Sequence, residues 1–190
     1  MTAASLTAAS TAMTDIAAAE FRHAVGHFAT GVTVVTSVGP GGEPVGTTAN
    51  AVSSLSLDPP MVLVCFDLSS QTLAAIRSHG AFTVNVLAAA QQHLSVRFAR
   101  RGDAAAWCGV GHRRGPTGSP RLDGVLAVLE CTVEHRLPGG DHEIIVGRVR
   151  EAETAPDDTQ PLLYWRGGYA ALGGPHQSAR ATAPDGEDLP

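Results

Sequence analysis

Gly140-Asp141-His142 stands directly before the apolar run Glu143-Ile144-Ile145-Val146-Gly147, so an acid and a histidine sit where a glycine turn meets a strand. Histidine changes charge nearest neutral pH, and binding groups favour loops held by a rigid scaffold. The triplet reads either as a turn with a surface histidine or as the edge of a site. Thr47-Thr48-Ala49-Asn50 and Ser53-Ser54-Leu55-Ser56 place hydroxyls and an amide beside an apolar strand. Small residues there let a flat ligand reach backbone N–H groups, although such a stretch can also be a turn that stabilises itself. Ser69-Ser70-Gln71-Thr72 has the pattern of a helix cap, and a capped helix N-terminus also receives anions. These features fit a phosphate-bearing aromatic cofactor without identifying it. His23 and His27 share a helix face with Glu20 one turn earlier, but no third ligand is evident and an exposed face is the simpler reading.

Other chemistries lack their residues. No GxGxxG follows a strand, and GxxxxGK[ST] and GxSxG are absent. No paired carboxylates stand out for acid–base work. The net charge of −5 argues against broad nucleic-acid or membrane-surface binding. The basic clusters Arg97-Phe98-Ala99-Arg100-Arg101 and His112-Arg113-Arg114 are short, solvated, and able at most to meet a local phosphate. Cys65, Cys108 and Cys131 are too few and too far apart for a disulfide framework. Cys65 and Cys131 lie in apolar runs and read as buried thiols, which suits a reducing cytoplasm. The first residues lack the basic start and apolar core of a signal peptide, and no apolar run is long enough to span a membrane.

The elements that must position these groups follow from pattern. At 190 residues the chain suits one domain, read as 15–172 between disordered tails at 1–14 and 173–190. Asp15 is placed to cap a helix to Phe28 with Phe21, Val25 and Phe28 on one face. Val32 to Val38 is a strand, and Val45 to Ser54 is its hairpin partner. Asp58-Pro59-Pro60 breaks the chain before Met61 to Phe66, a continuous apolar run expected to be buried on both faces. A helix over 72–78, a strand over 82–87 and a helix over 88–99 follow. After a loop-like 100–123, two long strands (125–137 and 142–152) flank Pro138-Gly139-Gly140-Asp141, and 162–165 closes the series. Strands dominate without alternating with helices, so an antiparallel barrel with a few outer helices is predicted.

Taken in order, the motifs resemble those of the short-chain flavin reductases, the reductase components of two-component flavin monooxygenases. The residues that carry the resemblance are Gly31-Val32-Thr33-Val34-Val35-Thr36, the run Thr47 to Pro60, Phe82-Thr83-Val84-Asn85-Val86-Leu87, Leu94-Ser95-Val96-Arg97-Phe98-Ala99, Gly140-Asp141-His142 and Tyr164-Trp165-Arg166-Gly167-Gly168-Tyr169. The resemblance runs from about Phe21 to Leu172.

The resemblance implies a mainly β, Greek-key split barrel of the FMN-binding type with peripheral helices, working as a homodimer with the flavin site near the interface. It implies FMN or FAD, NADH or NADPH as hydride donor, and a separate oxygenase that receives reduced flavin. By position, Thr47, Thr48, Ala49 and Asn50 would line the isoalloxazine, with Ser53 and Ser54 nearby and Cys65, Phe66 and Asp67 continuing the wall. Ser70 and Thr72 would hold the phosphate. Phe82 and Asn85 would lie beside the flavin, and Arg97 and Phe98 belong to the Leu-Ser-x-Arg-Phe-Ala motif, where Arg97 meets a phosphate or, more simply, makes a structural ion pair. His142 would face the nicotinamide as a positioning residue, Asp141 would brace its turn, and Tyr169 would close the pocket. Val52 replaces a common Phe, Trp165 departs from a common aromatic or small residue, and Trp107-Cys108 fill a variable loop. No arginine cluster marks a 2′-phosphate site, which favours NADH. A flavin- or haem-binding barrel without turnover, or an oxidase of the pyridoxamine-phosphate type, are the alternatives. The Gly-Asp-His triplet and Ser54-x-Ser56-x-Asp58-Pro59-Pro60 favour the reductase.

Overall fold

The computed structural model describes residues 15–172; the tails expected at 1–14 and 173–190 lie outside the described residues. The strands are β1 (Thr30–Gly31), β2 (Thr33–Val38), β3 (Pro44–Ala49), β4 (Val52–Leu57), β5 (Pro60–Asp67), β6 (Ala81–Val86), β7 (His112–Arg114), β8 (Pro120–Leu122), β9 (Ala127–Gly139), β10 (His142–Thr154), β11 (Leu163–Trp165) and β12 (Gly168–Ala170). The helices are α1 (Ala18–Val25), α2 (Gln71–His79) and α3 (Gln92–Phe98).

Seven strands form one antiparallel sheet in the order β3-β2-β6-β9-β10-β5-β4. The two edge strands are consecutive in the chain, joined only by Asn50-Ala51. In a flat sheet, six spacings of ~4.8 Å would hold those edges ~29 Å apart. The link, three Cα steps of ~3.8 Å, reaches only ~11 Å. The sheet therefore curls until its edges meet, and the barrel has a seam between β3 and β5 that the ladders do not close. Cys65 N donates to Ala51 O across it at 3.0 Å.

Strand β2 is buried on both faces. Val35 joins Val64, Phe66, Leu73, Ile76, Phe82 and Ile145 in one core, while Val34 joins Leu87, Leu94, Phe98, Leu122 and Leu162 in another. Gly147 on β10 allows the close packing there, since a Cβ would sit 2.4 Å from Phe82 Cζ. On β9, Glu130 is fully buried and accepts from Arg121 Nε (2.8 Å), Thr83 Oγ1 (3.0 Å) and Thr117 N (3.2 Å). Arg121 also reaches Glu151 and Glu153.

Several expectations shift. The first helix is α1 alone; Ala17 takes the cap position without a side-chain bond, and Phe21, Val25 and Phe28 are 57%, 51% and 75% exposed. The stretch 45–54 is two strands, because β4 leaves β2 and pairs with β5. Strand β5 is not buried on both faces: Val62, Val64 and Phe66 are buried while Met61, Leu63 and Cys65 are half-buried, the alternation of a barrel wall. Cys65 is thus not a core thiol, whereas Cys131 is, and its burial pushes it up to about 12. The 100–123 segment contains a short hairpin of β7 and β8, and a further strand, β12, follows β11.

Candidate functional site at the barrel seam

A cleft of about 930 Å³ opens along the seam. Its walls are β3, the end of β5, the start of α2, His142 at the head of β10, and the chain from Ala99 to Trp107. That volume suits a ligand larger than one ring system.

Each wall has a local cause. Strand β3 is an edge that has lost its outer neighbour, so its backbone and the side chains of Thr47 and Asn50 face open space. Among the described residues, Thr48 is tied to Ser95 O at 2.7 Å, and no protein hydrogen bond engages the Thr47 or Asn50 side chains. Helix α2 is capped by Ser70, whose Oγ accepts from Leu73 N at 3.3 Å. The amides of Gln71 and Thr72 remain as orphan donors, and no acidic residue occupies the first turn to offset the dipole. An anion is the group this end of the cleft receives best.

His142 is presented by a two-residue hairpin turn. Gly139 and His142 pair across β9 and β10, leaving Gly140 and Asp141 at the tip. Gly140 has φ +70°, which a first turn residue of this kind needs and glycine supplies. Asp141 Oδ1 lies 2.7 Å from His142 Nδ1, and Asp141 O accepts from Leu68 N at 3.1 Å. His142 stands opposite Asp67 in the β10–β5 register. Behind it, Glu143 binds Arg77 of α2 and Arg136 of β9, which hold its carboxyl below the usual range and fix α2 against the barrel.

Asp67 accepts from Ser69 N (2.8 Å) and from Arg101 Nη2 (2.6 Å). The Ser69 hydroxyl and amide, then Arg101, hold its carboxyl well below the ordinary value, at about 2. At the far end, Trp107 meets Phe98 edge-on at 5.0 Å and His112 at 4.9 Å. Gly46 gives this pair room, since a Cβ there would lie 3.2 Å from Trp107 and 3.3 Å from Phe98.

The cleft brings together ten sequence-selected residues: Thr47, Thr48, Ala49, Asn50, Cys65, Phe66, Asp67, Ser70, Thr72 and His142. The others lie elsewhere. Ser53 and Ser54 are exposed on β4. Phe82 and Asn85 are fully buried in the barrel, with Asn85 donating to Val34 O (3.0 Å) and Thr36 Oγ1 (3.1 Å) and accepting from Leu122 N (2.8 Å). Phe98 is core beneath Trp107. Among the described residues Arg97 makes no ion pair; it donates to Ala105 O (3.2 Å) and Cys108 O (2.7 Å) and so shapes the 99–107 wall. Tyr169 bonds Ser95 Oγ at 2.8 Å outside the cleft lining, and Asp141 acts through His142. Arg101 and Trp107 are the groups that spacing did not place at the site. Arg101 sits 34 residues from Asp67, and only the fold brings them together.

Three comparisons bear on the chain. The model of the family described as "Flavin reductase like domain" matches residues 25–173. The reductase subunit of a flavin-dependent monooxygenase from Rhodococcus jostii is 41% identical over 152 residues, covering 80% of this chain and 76% of that protein. An NADH-dependent FMN reductase of Streptomyces nodosus subsp. asukaensis is 42% identical, covering 82% and 85%. Among solved structures, the NADH:FAD oxidoreductase of Streptomyces globisporus, in complex with NAD and FAD fragments, superposes with a TM-score of 0.76 at 33% identity over 89% of this chain and 94% of that one.

Proposed function

We propose a reaction for this chain from the premise that it belongs to the flavin reductase-like domain family: it is an NAD(P)H-dependent flavin reductase that supplies reduced flavin to a separate monooxygenase component. The observation that carries the site assignment is the seam cleft, where a free anion seat at α2 and open hydrogen-bonding groups on β3 share one space with His142.

The residues present fit a flavin nucleotide. The phosphate would take the Ser70 hydroxyl and the free amides of the first turn of α2, with Thr72 beside it. The ring system would lie along Thr47 to Asn50, with Cys65 to Asp67 as the second wall. Bound there, flavin supplies the redox chemistry, taking hydride from the nicotinamide. The protein's part is orientation and exclusion of water, which needs no catalytic triad. His142 positions the donor, and Asp141 fixes the ring of His142. NADH is the favoured donor, as it is for the NADH-dependent FMN reductase of Streptomyces nodosus subsp. asukaensis. Crossing NADH and NADPH with riboflavin, FMN and FAD in steady state tests this. Consumption of NADH with each flavin supports the reading, and tight flavin binding without turnover contradicts it.

The chain works as a homodimer in this proposal. Helix α1 supports it: Phe21 and Val25 are exposed and none of its residues is buried, so a partner copy is the natural cover. Light scattering of the purified chain checks it. Among the described residues no helix is long and apolar enough to cross a membrane.

A further inference from the structure

Arg101 crosses from the chain after α3 to the turn between β5 and α2. Its Nη1 donates to Ser69 Oγ at 2.8 Å and its Nη2 to Asp67 Oδ2 at 2.6 Å. Asp67 Oδ1 accepts in turn from Ser69 N at 2.8 Å. This three-residue clasp precedes Ser70, the cap of α2. Both side chains lie within reach of solvent, Asp67 at 38% exposure and Arg101 at 74%. All three residues line the cleft.

The clasp conflicts with the seat beside it. A carboxylate next to a helix N-terminus repels an incoming phosphate, and here it also holds a nearby cation. Guanidinium binds carboxylate and phosphate with the same two-pronged geometry, so the two anions compete for Arg101. A phosphate monoester carries about −1.5 to −2 charge against −1 for the carboxylate, which favours the exchange once the ligand has docked.

We propose that Arg101 has two positions: on Asp67 when the cleft is empty, and on the flavin phosphate when it is filled, so that Asp67 is a built-in competitor that weakens flavin retention. This rests on α2 being the phosphate seat. Weak retention suits a protein that gives its flavin away. The competitor acts through charge, because an asparagine at 67 keeps Oδ1 as acceptor for Ser69 N while releasing Arg101.

The test is equilibrium binding without nicotinamide, followed by quenching of flavin fluorescence, on the full chain and on Asp67→Asn, Arg101→Ala, the double variant and Ser70→Ala. Asp67→Asn should bind FMN about three- to fivefold more tightly, the scale of an exposed ion pair, with riboflavin gaining less. Arg101→Ala should weaken FMN alone and remove the effect of Asp67→Asn in the double variant. Unchanged or weaker FMN binding by Asp67→Asn overturns the proposal, because Asp67 then only orients Arg101. So does equal tightening of riboflavin, or tightening of NAD⁺ in place of FMN. Failure of the underlying seat looks different: wild-type protein would bind FMN and riboflavin alike and Ser70→Ala would change neither, which overturns both. Arg101 is largely exposed, so its variant keeps the test usable if Asp67→Asn folds poorly.

Discussion

Two polar clusters of this barrel are built differently. Around Glu130 the charges are closed in: the carboxylate is fully buried, and Arg121, Thr83 and Thr117 all point at it. Along the seam the polar groups face a cavity, and Thr47, Asn50 and the first amides of α2 have no protein partner among the described residues. A charged cluster is thus structural or functional according to where its spare hydrogen-bonding capacity points. Glu130 and Arg121 are paired away from solvent, whereas Asp67 and Arg101 are paired within its reach.

The comparison can be broken from either end. The largest effect should come from the closed cluster. Glu130→Ala removes the buried partner of Arg121 and the acceptor for Thr83 and Thr117, and should cost about 3–5 kcal/mol in urea unfolding. Its flavin affinity, measured well below the unfolding transition, should stay near wild type. Gly147→Ala, which drives a methyl against Phe82, should cost about 1–3 kcal/mol in the same experiment, again without a specific effect on ligands.

Seam variants should reverse that pattern. His142→Ala should weaken use of NADH about tenfold in kcat/KM, equivalent to ~1.4 kcal/mol, while flavin affinity moves less. Unchanged NADH kinetics would remove His142 from the donor side. Ser70→Ala should weaken FMN but not riboflavin, and its lost cap should cost about 1 kcal/mol of stability.

The smallest effect is a pH trend. The folded-state value of Asp67, about 2, lies below the ordinary carboxylate value of about 3.9. Its ionised form therefore stabilises the fold above the ordinary value, and that contribution is lost as pH falls through about 2. The stability gap between wild type and Asp67→Asn should shrink as pH is lowered from about 5 to about 2. A gap that widens would contradict the assignment of the low value to the clasp.

Much of this was legible in residue pattern. Gly140 before Asp141-His142 announced a tight turn, and the β-branched runs marked β2, β6, β9 and β10 in nearly their final places. Ser70 signalled its helix because capping is a local event. What failed was non-local. Phe82 and Asn85 carry the same residue types whether they face a ligand or the barrel interior, and only the pairing of β6 with β2 and β9 decides. The period of Met61 to Phe66 was hidden because its half-buried face is also apolar. Of that face, Cys65 lines the seam cleft. Nothing near Arg101 announces Asp67; their meeting is a product of α2 and α3 both packing against β2 and β3.

The central claim is that both substrates meet in the seam cleft. It is tested most directly by NADH consumption with added FMN, comparing wild type with Thr47→Trp, which fills the cleft from the β3 edge. Wild type should turn over, and Thr47→Trp should lose turnover at an unchanged melting temperature. Wild-type kinetics in a folded Thr47→Trp protein would place the reaction elsewhere and contradict it.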